Sequence, residues 1–171
     1  MSSIRANLIS GLMLIPMGGT IFCQRRVGPP SVYVSKGACP FECCRYGKWV
    51  ATRRLVLLDH PGGHPVANVS EGEQVLAITG EVITHPVRFK RSGDYPYHDE
   101  VPAGSAVYLL HPLGEGTWLV WYRGKIISIE AYDAPNVPYQ WWAKIKRHSG
   151  RIGWIRISTT DLPFDGADGC G

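Results

Sequence analysis

No segment of this 171-residue chain carries the 3.6-residue apolar period of an amphipathic helix for more than a turn or two. That absence excludes helical bundles and the strand–helix alternation of parallel α/β folds. No apolar run is long enough to cross a bilayer. Charged residues make up 19% of the chain, and the net charge of +4 includes no extreme block of one sign. The motifs G-x-S-x-G, H-E-x-x-H and the phosphate-cradling P-loop do not occur. No residue set compels an enzymatic reading.

What is present points to β structure. Hydrophobic residues reach 44% and aromatics 11%, enough apolar area for packed cores despite 20 glycines and 13 prolines. Landmarks recur thirty-two positions apart: Val69, Gly72, Val75 and Ile78, then Val101, Gly104, Val107 and Leu110. In each copy a strand end enters a glycine turn and a new strand leaves it. The repeat predicts two small β units. Short β-branched runs follow the same logic, among them Leu55–Leu58, Val75–Ile78, Val87–Lys90 and Trp118–Tyr122. Trp141–Lys146 and Ile152–Ile157 read as a hairpin across His148-Ser149-Gly150. The polar, turn-rich stretch 91–100 is the expected linker.

The N-terminus reads as a targeting segment. Arg5 is the only charge before Arg25, Leu8–Ile15 is apolar, and Pro16, Gly18 and Gly19 then break any helix. This predicts a signal peptide over residues 1–22 and a periplasmic or extracellular protein with no transmembrane span in the mature chain. A membrane anchor and a misassigned start are the alternatives. Lipid attachment at Cys23 ranks below plain export, because bulky Phe22 precedes the cysteine. The mature chain keeps a mild positive excess, compatible with an anionic envelope surface.

Export makes disulfides the default use of Cys39, Cys43, Cys44 and Cys170. Four cysteines allow three pairings. A vicinal Cys43–Cys44 bridge ranks last, since adjacent Cα atoms lie too close. The arm is tied internally or to the C-terminal tail. A thiol metal site lacks a second knuckle, and no paired base marks a catalytic thiol. No metal and no cofactor is expected.

The span Pro65–Val75 resembles the centre of a bacterial SH3-like domain, and Trp142–Lys146 with Gly150–Ile155 resembles its Gly-Trp-apolar ending. Residues 46–160 are similar to uncharacterised exported bacterial proteins with a C-P-x-E-C-C arm, here Cys39–Cys44, before two SH3-like units. The resemblance implies an all-β chain: signal peptide 1–22, Cys-containing arm 23–45, SH3-like barrels at 46–92 and 93–162 in tandem and able to pack together, and a flexible tail 163–171. The first unit lacks the Gly-Trp ending, and the second lacks the usual opening strand. One unit is therefore incomplete, or the two share a sheet. Cell-wall peptidases with SH3-like units carry a separate Cys–His catalytic domain, for which this chain has no room.

The expected function is an exported, non-enzymatic binding module for peptidoglycan, an envelope protein or a peptide. A small envelope hydrolase with a Cys/His pair is the alternative. The expected ligand surface joins Trp142, Lys144 and Lys146 on one strand face, with Tyr132 and Tyr139 on the rim and Trp121 as a further ring. Aromatics beside cations also suit nucleic acid, which export sets aside. His60 and His64 flank a turn but lack an evident third metal ligand.

Overall fold

A computed structural model describes residues 28–92 and 100–170. The expected signal peptide, Cys23 and most of the expected linker lie outside these residues. Among the described residues the structure is all-β, with no helix.

The described residues form twelve strands in two sheets. In chain order they are β1 Tyr33–Lys36, β2 Gly47–Ala51, β3 Leu55–Leu58, β4 Pro65–Val69, β5 Gln74–Thr84, β6 Val87–Lys90, β7 Ala106–Gly114, β8 Thr117–Tyr122, β9 Lys125–Glu130, β10 Tyr139–Arg147, β11 Ile152–Ile157 and β12 Phe164–Asp165. The larger sheet has the order β12-β2-β5-β10-β11-β3-β4, with β1 also paired to β5. The smaller sheet runs β6-β7-β8-β9. The strands do not sort along the chain at 92/93. β6 precedes that boundary yet pairs with β7, while β10 and β11 follow it yet join β5 and β3. The two halves of the chain therefore share a sheet.

The thirty-two-residue repeat has a common geometry. Gly72 and Gly104 both adopt left-handed backbone, at φ 74° and 76°, where glycine carries no Cβ penalty. Around each, the same hydrogen bonds form. Glu73 N–H donates to Ser70 C=O as Ser105 N–H does to Pro102 C=O, and Gly72 donates to Ala51 as Gly104 does to Arg91. The last landmark is in each case the extra residue of a β-bulge. Thr79 and Ala77 pair across Ile78, and Leu109 and His111 pair across Leu110. The copies then diverge, for Leu110 is buried and Ile78 is exposed.

Strand alternation builds the larger core. Val75, Ala77 and Val82 of β5, Trp141, Ala143 and Ile145 of β10, and Ile155 and Ile157 of β11 point to one side. The bulge at Ile78 resets the alternation, so both ends of the eleven-residue β5 keep apolar side chains inward. Trp49 sits at the centre of an aromatic group. Its ring meets Trp141 edge-on at 6.2 Å and lies 5.2 Å from Phe164. The indoles are also satisfied as donors. Trp49 Nε1–H reaches Arg45 C=O at 2.9 Å. Trp141 Nε1–H reaches the Tyr46 hydroxyl, which donates to Ala38 C=O. A second core gathers Val101, Val107, Leu109, Trp118, Val120 and Ile129 behind the smaller sheet.

All four cysteines of the arm and tail are paired, as Cys39–Cys44 and Cys43–Cys170. Both expected ties occur together. Over the described residues 163–170 the tail is thereby held in place, which corrects the expectation of a flexible segment there. Phe164 and Ala167 are buried, β12 pairs with β2, and Gly169 N–H donates to Cys43 C=O. The local Asp-Gly pattern at 165–169 hid a strand that exists only through long-range pairing.

Two stability losses follow. Trp49→Ala opens a void at the aromatic centre and is expected to cost about 3–5 kcal/mol in denaturant unfolding. Cys43→Ser/Cys170→Ser releases a loop of sequence separation 127 and is expected to cost about 2–5 kcal/mol.

Candidate functional site

A cleft of about 560 Å³ lies at one end of the larger sheet. Arg53 and Leu55 line it from the β2–β3 side, Arg156–Thr160 from the end of β11, and Asn136–Tyr139 from the loop leading into β10. Val137 in that loop is rooted in the second core, so the cleft has one wall from each core. Its polar side chains are the hydroxyls of Ser158, Thr159, Thr160 and Tyr139, the Asn136 amide and two guanidinium groups. Tyr139 Oη lies 3.5 Å from Thr159 Oγ1. Arg53 is tied to Asp161 at 2.8 Å. No ion pair engages Arg156 among the described residues, so it is the cation free to meet an anionic ligand. The volume suits a small ligand or one unit of a polymer.

A second groove of about 310 Å³ lies at the other end of β5 and β10, lined by Lys48, Gln74, Leu76, Lys146, Arg147 and His148. Arg147 is held by Glu73 through paired bonds of 2.7 and 2.8 Å. This guanidinium and the Ser70 backbone N–H hold the Glu73 carboxyl below its ordinary value of 4.5.

The six expected ligand residues separate. Tyr139 lines the cleft and Lys146 the second groove. Trp142 points away from the main core as alternation requires, but it is only 6% exposed and donates to Gln140 Oε1. The expectation of an open indole there is corrected. Its cross-strand neighbour Arg156 lines the cleft together with residues 136–138. Lys144 instead sits by Trp154, with Nζ 5.7 Å from the ring centroid. Tyr132 is 65% exposed and lies over Gly116. Trp121 is half-buried in the smaller sheet, edge-on to Tyr108. Tyr132 and Trp121 line neither concavity.

Trp154 lies outside the expected ligand set, yet the hairpin pattern places it beside Lys144. The three-residue turn at 148–150 pairs Lys146 with Ile152, and two steps on it pairs Lys144 with Trp154. Arg53, Arg156 and Ser158–Thr160 carried no sequence signal, because segments far apart in the chain bring them together.

Other clusters are structural. The Asp59 carboxylate accepts the backbone N–H groups of His60 and His64 at 2.8 and 2.9 Å, which closes their turn and lowers its own pKa. Cys43, Asp168 and Cys170 lie together, but their two sulfurs are bonded to each other and Asp168 accepts the Cys170 N–H.

No protein-family description, no curated protein and no solved structure matches this chain.

Stability should fall in two stages on acidification. Burial lowers the pKa of His111 from its ordinary 6.5, so the unfolded chain takes up a proton first and stability declines as pH drops below that value. Glu73, also lowered, contributes stability that is full above 4.5 and is lost as pH falls through its folded value. Denaturation midpoints measured from pH 8 to pH 3 should show both limbs. His111→Leu should remove the upper limb, and Glu73→Gln should flatten the lower.

Proposed function

We propose that the protein is an exported, non-enzymatic binding module built from tandem SH3-like units. Its ligand is cell-wall glycan or peptide, or an extended segment of an envelope protein. The observation that carries this reading is the cleft between the β11 end and the loop 136–138. There an aromatic ring (Tyr139), three hydroxyls and the unpaired Arg156 converge. A ring face suits a sugar or a proline-rich segment, and hydroxyls supply directional bonds. The guanidinium recognises a carboxylate, which peptidoglycan stem peptides offer.

Two disulfides support export, since such bonds persist in oxidising compartments. Among the described residues no helix is long and apolar enough to cross a membrane. The shared turn-and-bulge geometry of the repeat supports two related units. The hydrolase alternative with a thiol among Cys39, Cys43 and Cys44 is disfavoured, since each of these is bonded to another cysteine.

The test is binding of the full chain to purified peptidoglycan and to soluble muropeptides by calorimetry. Arg156→Ala and Tyr139→Ala should each weaken binding, the former by about tenfold or more for a lost charge-assisted bond. Trp121→Ala should leave it unchanged. Binding that survives both cleft variants would remove the cleft, and no binding by wild type would remove the cell-wall ligand.

A further inference from the structure

The outer face of the larger sheet combines charge and exposed apolar area. Lys48, Leu76, Lys146 and Ile152 stand side by side across β2, β5, β10 and β11. Leu76 is 45% exposed and Ile152 43%, with Ile78 at the bulge equally open at 43%. Lys144 and Trp154 sit one pleat further along. Among the outward positions of these four strands the cations are Lys48, Lys144, Lys146 and Arg156, and the only acid is Glu81, beside Trp142. No salt bridge engages Lys48, Lys144 or Lys146 among the described residues. The groove between Lys48 and Lys146 is large enough for a phosphate group, and its Arg147 is already neutralised by Glu73.

We propose that this face docks on an anionic phospholipid bilayer. The groove takes a lipid phosphate between Lys48 and Lys146, and Leu76, Ile78 and Ile152 enter the headgroup–acyl boundary. Charge complementarity selects an anionic partner, and the open aliphatics between the lysines select one with apolar depth. The topology argues against an acidic peptide. β2, β5, β10 and β11 each have a neighbouring strand on both sides, and β5 and β10, at the centre of the row, are paired along both edges there, so the middle of the row offers no edge to an added strand. Only side chains reach outward, and a bilayer requires nothing more. The row lies outside the cleft of Tyr139 and Arg156, so this inference stands or falls apart from the ligand proposed there.

The test is co-sedimentation of the full, disulfide-intact chain with vesicles of phosphatidylcholine alone and of phosphatidylcholine with phosphatidylglycerol. Binding is expected only to the mixed vesicles, and it should weaken as salt is raised. Lys48→Ala/Lys146→Ala should weaken it by about 30-fold, from the usual contribution of a basic residue at such a surface. Leu76→Ser/Ile152→Ser should also weaken it at unchanged charge. Arg88→Ala/Lys125→Ala, on the smaller sheet, should have little effect. All these positions are exposed, and a retained β-type circular dichroism spectrum shows that each variant folds. Equal binding to both vesicle types, no binding to the mixed vesicles, or binding indifferent to the row variants would each overturn the proposal. Capture of soluble poly-glutamate without vesicle binding would overturn it in favour of an acidic polypeptide.

Discussion

The pairing of β5 with β10 is the constraint on which the rest depends. It joins residues 74–84 to residues 139–147 along the whole length of both strands. On the opposite edge of β5, β2 and β1 lie end to end. The chain between them is the cysteine arm, so its position is set by the two strands that bracket it. Cys39–Cys44 tightens the arm locally, and Cys43–Cys170 brings the tail beside β2. Without the β5–β10 ladder neither the main core nor the outer face would be continuous. The closure is costly in chain entropy, because the segment between the strands contains the whole of the smaller sheet.

The same ladder assigns every side chain on β10 to a face. Trp141 goes inward beside Trp49, and Trp142, Lys144 and Lys146 go outward. A one-residue slip would exchange the sets and bury lysines in the aromatic core. The bulge at Ile78 protects this arrangement. It lets β5 keep Val75 and Ala77 inward on one side of the kink and Val82 and Thr84 inward on the other.

Local patterns in the sequence were largely legible. The strands, the β class, the glycine turns and the final hairpin follow from alternation, glycine placement and β-branched runs, and their physics is confined to a few residues. The repeat carried more than a count of units, since it marked a turn and a bulge of fixed shape. Long-range pairing was less legible. Nothing within 87–90 tells β6 to leave its predecessors and pair with β7, and nothing within 163–170 marks a strand edge. The ligand surface failed at the same level. Alternation puts Trp142 outward, but it says nothing of what lies over that face, and Trp142 is only 6% exposed.

The two concavities differ in the part of the fold that makes them. The cleft at Tyr139 needs both cores, because one wall descends from the larger sheet and the other is rooted through Val137. Relative movement of the two sheets would change its width, so a ligand held there would also fix their arrangement. The groove at Lys48 and Lys146 lies within one continuous sheet, where hydrogen bonds between β2, β5 and β10 set its spacing. The Glu73–Arg147 pair adds a further restraint at its end. A surface of that kind keeps its shape whether or not the cleft is filled. The cleft thus depends on how the two cores meet, whereas the groove depends on a single hydrogen-bonded ladder.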